Sequence, residues 1–146
     1  MSIDYAAGDD HVVTITINRP EARNSMDMEH FFQLRTAWDR FGEDDDLWVA
    51  VITGVGKDFC VGADLKTYIP QITELQSKLE DGQTPEELGG YRLDDGVKAV
   101  LRGVKIYKPI ITANVAVSLA TRMSVPPSIS MPPATQVPLT AAMMGL

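Results

Sequence analysis

An α/β fold is predicted by three local patterns: a period-two strand at 12–18, a helical apolar stripe from Met28 to Phe41, and a short β-branched run at 49–53. In the first, Val13, Ile15 and Ile17 alternate with His11, Thr14, Thr16 and Asn18. Alternation of this kind gives a strand one apolar and one wet face. Residues 3–5 form its expected partner, with the Gly8-Asp9-Asp10 turn between them making a hairpin. After Pro20 the chain must leave the sheet, because proline lacks a ladder donor. Ser25 or Asp27 can then cap a helix on which Met28, Phe31, Leu34, Trp38 and Phe41 recur at intervals of three and four. The Glu43-Asp44-Asp45-Asp46 run ends that helix in solvent. Adjacent carboxylates without spaced ligands do not define a coordination shell, so no metal is expected there. Val49-Ala50-Val51-Ile52-Thr53 follows as a buried strand bounded by Gly54 and Gly56.

The region 67–104 is charged and helix-prone, with Gly82, Gly89-Gly90, Gly96 and Gly103 as interruptions. Ile69, Ile72, Leu75 and Leu79 share one expected helical face, and Val97, Val100 and Leu101 another. Tyr68, Tyr91 and Tyr107 read as packing residues rather than catalysts.

A chain of 146 residues with 45% hydrophobic and 23% charged residues is expected to form an ordinary globular domain. Its net charge of -7 opposes a nucleic-acid partner, which would call for a basic face. The first five residues lack a basic segment followed by an apolar core, so they do not read as a secretory signal. No apolar run is long enough to span a bilayer. Cys60 has no second cysteine to pair with, which suits a reducing compartment, and the cytoplasm is the expected location.

Chemistry is most legible in the loop after the buried strand, Gly54-Val55-Gly56-Lys57-Asp58-Phe59-Cys60-Val61-Gly62-Ala63-Asp64-Leu65-Lys66. Gly62 and Ala63 have no side chain that would block close approach of a ligand to the backbone. A dinucleotide fingerprint would require glycine where Phe59 stands, and a phosphate loop would require Ser or Thr after Lys57, where Asp58 stands. Cys60 lacks a local base motif and reads as a small half-buried residue; His11 and His30 are read as structural.

Taken alone, Asn18-Arg19-Pro20 is a strand terminator and Lys108-Pro109 a weak signal. Together with the Gly62-Ala63-Asp64 loop, Asn18-Arg19-Pro20-Glu21-Ala22-Arg23-Asn24 upstream and Tyr107-Lys108-Pro109-Ile110-Ile111 downstream resemble the crotonase superfamily, the enoyl-CoA hydratase and isomerase family. The resemblance implies the N-terminal portion of a crotonase-like ββα spiral over residues 1–113. It implies an acyl-CoA thioester substrate, with coenzyme A belonging to the substrate and no separate cofactor. Negative charge on the thioester oxygen would be met by the backbone N–H of Ala63. Ala22 and Arg23, with Ala63, Asp64, Leu65 and Lys66, would line the coenzyme A path, and Arg23 and Lys66 suit its phosphates on charge grounds. Such proteins are homo-oligomers, trimers or hexamers, and the variable middle segment would shape the acyl pocket.

Family members continue with Val-Asn-Gly, a Gly-Gly pair supplying the second oxyanion donor, and glutamates that handle water and proton. Here Asn114-Val115-Ala116 follows instead, with neither a Gly pair nor any Glu after Asn114. Residues 114–146 form a Pro/Ser/Met-rich tail in which Arg122 is the last charged residue, and an irregular, poorly packed segment is expected. The break within the motif is expected of translation in a shifted reading frame, with an interaction peptide as the alternative. As written, the chain is therefore either a hydratase-type enzyme or a catalytically silent, coenzyme A-binding remnant.

Overall fold

The computed structural model describes residues 3–113. Strands β1 (Ile3–Ala7), β2 (Val12–Ile17), β3 (Val49–Gly54) and β4 (Ile110–Ala113) form one sheet in that order. β1 and β2 are the predicted hairpin, antiparallel with Ile3 opposite Ile17 and Ala7 opposite Val13. β2–β3 and β3–β4 are parallel, so helices fill both crossovers: α1 (Met28–Glu43) in the first, α2 (Leu65–Glu80) and the short α3 (Asp95–Ala99) in the second.

Parallel register puts Ala50 beside Val13 and Ile52 beside Ile15, which brings the apolar positions of β2 and β3 to one face. Against them pack Phe31, Leu34, Ala37, Trp38 and Phe41 of α1, all buried. The opposite face of β2 is half-buried rather than wet, because β2 lies between two neighbours. Asp27 is the α1 N-cap, its carboxylate accepting from the His30 N–H at 3.1 Å and approaching His30 Nδ1 at 2.6 Å. His30 is thus buried against its own cap, in keeping with a structural role.

The Lys-Pro motif also builds the fold. Lys108 Nζ donates to the carbonyls of Phe41 and Asp44, at 2.9 and 2.5 Å, and so neutralises the C-terminal end of α1. The adjoining Pro109 carbonyl accepts from Ala50 N–H at 3.0 Å, which sets β4 beside β3.

α2 starts two residues before the expected segment, because Asp64 caps it, and it carries Pro70 inside. Leu75 is its single buried residue; Ile69 is half exposed, so the expected apolar face only partly packs. Within 84–104 the only helix is five-residue α3, and Val97 and Val100 face solvent, contrary to the apolar face expected of them. Gly89, Gly90, Gly103 and Leu101 all adopt positive φ, which breaks helical continuity. What α3 buries is Asp95 and Ala99. Burial holds the Asp95 carboxyl above its ordinary range, opposed by a hydrogen bond from Arg92 N–H and by the charge of Arg35. Arg35 Nε lies 2.8 Å from Asp95 Oδ1 but out of line for a hydrogen bond, so this is a contact of charges. Tyr68 packs edge-on against Phe31, and Tyr91 leans on Phe32 while donating to Glu29. That bond, with burial second, pushes the Tyr91 phenol up to about 12. Among the described residues Tyr107 is 85% exposed, unlike the packing role expected of it. The tail expectations for 114–146 lie outside the described residues.

Two outcomes follow from this packing. Trp38 Nε1 donates to the Ala99 carbonyl at 2.9 Å in the core, so Trp38→Phe leaves a buried acceptor unmet and should cost about 1–3 kcal/mol. Urea unfolding followed by far-ultraviolet circular dichroism measures it; an unchanged midpoint would contradict the tie between α1 and α3. Burial opposes ionisation of Asp27, but His30 and Arg19 outweigh it and lower its pKa below the ordinary 3.8. The stabilisation is therefore complete above 3.8 and is lost as pH falls through the lower folded value. Asp27→Asn, which keeps a cap acceptor, should differ from the parent at neutral pH and converge with it in acid. A difference that stays constant with pH would refute the charge contribution.

Candidate active site

The loop after β3 is held by one side chain. Asn24 is fully buried; its Nδ2 donates to the carbonyls of Val55 and Asp58 at 2.9 and 2.6 Å, and its Oδ1 accepts from Arg19 N–H at 2.9 Å. Its φ of 58° is one that asparagine tolerates better than most residues. The loop closes so tightly that a Cβ on Gly54 would sit 2.2 Å from the Phe59 carbonyl oxygen and 2.8 Å from Asn24 Nδ2. Glycine is required there.

Further along, Ala63 forms a parallel bridge with Met26. Met26 N–H donates to the Gly62 carbonyl at 2.9 Å, and Asp64 N–H donates to the Met26 carbonyl at 2.7 Å. Along an extended strand, successive residues point their N–H and C=O groups to alternate sides. Since the groups flanking Ala63 bond to Met26, Ala63's own N–H and C=O face away from it. Among the described residues the Ala63 N–H donates to no acceptor. Gly62 precedes it at φ 98°, with nothing within 4 Å of where a Cβ would stand, so the glycine serves the backbone angle and leaves the approach open. Asp64 caps α2 through Lys66 N–H at 3.3 Å, and the positive end of that helix therefore lies beside Ala63.

Ala22 ends a single 3-10 turn, Pro20–Ala22, and Arg23 follows at φ 55°. Arg23 is mostly exposed and forks onto Asp58, Nε to Oδ2 at 3.2 Å. The hydrogen bond raises the Arg23 pKa and lowers that of Asp58, so both stay charged. With Pro20, Val55, Gly56 and Lys57 they line a cavity of about 520 Å³. Leu65 and Lys66 are exposed at the start of α2. The predicted site residues thus fall into two groups, Ala22 with Arg23 and Ala63 to Lys66, joined across the Met26 bridge and by Arg19 Nη2 donating to Asp64 Oδ2 at 3.1 Å. Lys57, Arg19 and Asn24 were not among the predicted site residues; the buried amide and the Arg19 contact could be signalled in sequence only by the longer segment 18–24.

Cys60 is half-buried, and its Sγ accepts from Gly62 N–H at 3.3 Å, a loop contact rather than a pairing with a base. His11 stacks on Trp48 with ring centroids 3.9 Å apart. Among the described residues no group of three or more His, Cys, Asp or Glu is placed to hold a metal, and no helix is long and apolar enough to cross a membrane.

Comparison with known proteins bears on the family and the fold. Residues 7–88 match the family described as enoyl-CoA hydratase/isomerase. The chain is 41% identical over 106 residues to an (E)-benzylidenesuccinyl-CoA hydratase of Thauera aromatica, covering 70% of this chain and 35% of that protein. It is 35% identical over 103 residues to the enoyl-CoA hydratase EchA19 of Mycobacterium tuberculosis, again covering 70% and 35%. A solved structure of a probable enoyl-CoA hydratase/isomerase from Mycobacterium abscessus superposes with a TM-score of 0.54 at 31% identity, over 76% of this chain and 36% of that one. The chain spans about 35% of the length of these curated relatives. Its α/β fold is that of the crotonases, and the chain belongs to the enoyl-CoA hydratase/isomerase family.

Proposed function

We propose that the protein acts on acyl-CoA thioesters, as a hydratase of 2-enoyl-CoA substrates in fatty-acid or related acyl-CoA metabolism. The observation that carries this reading is the N–H of Ala63, which has no acceptor among the described residues and is aimed away from the Met26 bridge behind an unobstructed Gly62. When water adds to the β-carbon of an enoyl thioester, the π electrons move onto the thioester oxygen, and a proton then returns to the α-carbon. A donor already aimed at that oxygen needs no reorganisation as charge develops. Arg23, freed from Asp58 by a stronger anion, and Lys57 and Lys66 supply cations for the phosphates of coenzyme A.

The second reading, thioester binding without turnover, is favoured by the absence of any Glu or Gly pair after Asn114. A general acid–base and a second oxyanion donor would have to come from elsewhere.

Hydration of crotonyl-CoA by the full chain, followed as loss of enoyl absorbance, together with calorimetric titration of butyryl-CoA, separates the two. Ala63→Pro deletes the donor and should lower turnover by about a hundred- to a thousandfold. Turnover insensitive to Ala63→Pro would refute the role of Ala63. Binding without turnover in either protein would establish the second reading, and absence of butyryl-CoA binding would overturn both.

A further inference from the structure

Arg19 is the residue of the Asn-Arg-Pro motif that the proposed chemistry leaves without a role. Its backbone is pinned: the N–H donates to Asn24 Oδ1, and the carbonyl accepts from the N–H groups of Ala22 and Asn24, at 3.1 and 2.8 Å. Pro20 restricts the conformation of Arg19 from the other side. The side chain, 20% exposed, is therefore aimed rather than free. Nη1 donates to the Ser25 carbonyl at 3.0 Å, and Nη2 donates to Asp64 Oδ2 at 3.1 Å. Nη1 also lies 4.0 Å from Asp27 Oδ2. The guanidinium thus stands between the N-cap carboxylates of α1 and α2.

Ser25 and Asp64 each adjoin one half of the Met26–Ala63 bridge. Two backbone hydrogen bonds close that bridge, and it has no ladder on either side to hold it in register. Rotation of the 62–64 segment would turn the Ala63 N–H off its line. The guanidinium clasps both segments at once with charge-assisted bonds in partly buried surroundings, where they are stronger than neutral ones. A lysine ammonium is a point charge without this fork.

We propose that Arg19 is a positioning residue for the Ala63 N–H, acting through Asp64 and the Ser25 carbonyl. It touches neither thioester nor reacting atoms. The inference rests on Ala63 being the oxyanion donor.

Amide exchange and chemical shifts in the ¹⁵N-labelled full chain test it. In Arg19→Gln the amides of Met26 and Asp64 should exchange about tenfold faster while those of Ile15 and Ile52 in the sheet are unchanged, the mark of local rather than global loosening. Addition of saturating butyryl-CoA should move the Ala63 amide resonance in the parent and move it much less in Arg19→Gln. Should Arg19→Gln not fold, Arg19→Lys carries the test, keeping the charge while losing the fork, with an acceleration of about threefold at the same two amides. Unaltered exchange at Met26 and Asp64 overturns the proposal whatever the ligand does. A parent Ala63 amide that moves, with an equal response in the variant, overturns this proposal alone. A parent Ala63 amide indifferent to bound butyryl-CoA overturns the oxyanion reading, and this proposal with it.

Discussion

The site is organised around a buried carboxamide. Asn24 spends both amide protons on the Val55 and Asp58 carbonyls and its oxygen on Arg19 N–H, so the loop after β2 and the loop after β3 are joined by a group whose polar atoms are satisfied. Aspartate there would lose two donors and place a charge in the core; leucine would strand three backbone groups. The absence of a Cβ at residue 54 follows from the same closure, since the loop must turn back within contact of the amide. From that junction one path leads to Asp27 and the start of α1, the other to Gly62, Ala63 and the start of α2. The two helix caps and the half-buried Ala63 thus adjoin one loop–loop contact.

How much of this was readable in the sequence depended on how local the causes were. The hairpin, α1 and β3 each bury one face, and each repeats its apolar residues with its own period, so their patterns survive without tertiary information. In 84–104 the breaks at Gly89-Gly90 and Gly103 were legible, but the expected apolar face was only partly so: Ala99 and Leu101 reach the core while Val97 and Val100 do not, and the rest is fastened by a buried Asp95 against Arg35 and by the Trp38 bond to Ala99, neither of which leaves a periodic trace. Lys108 looked weak as a motif and proved to be a helix terminator reaching back to residues 64 and 67 positions earlier. In the site, the Gly-Ala-Asp loop stood out only in conjunction with the segment 18–24 and with Lys108-Pro109, because small residues after a strand more often simply turn the chain. Asn24 and Arg19 were not visible as site-builders, because their contacts span 31 and 45 residues in the chain.

Charge is locally balanced in an acidic chain. Arg19, Arg23, Lys57 and Lys66 stand along the two loops and the start of α2 together with Glu21, Asp27, Asp58 and Asp64. Arg19 is the partly buried one and is committed to protein acceptors, whereas Arg23 is exposed and, among the described residues, is held by Asp58 alone. An exposed pair of that kind adds little to stability in water. Its effect is local, since the pair keeps both of its charges at the edge of the 520 Å³ cavity.

The two tryptophans fall in opposite surroundings. Trp38 is sealed in the core, while Trp48 is 60% exposed and lies flat on His11 at the meeting of the β1–β2 turn and the α1–β3 connection. Emission from the native protein is consequently expected to sum a blue, solvent-shielded component from Trp38 and a redder one from Trp48. Each half of that spectrum reports a different part of the molecule, and a single-wavelength trace would mix events in the core with events at a surface turn.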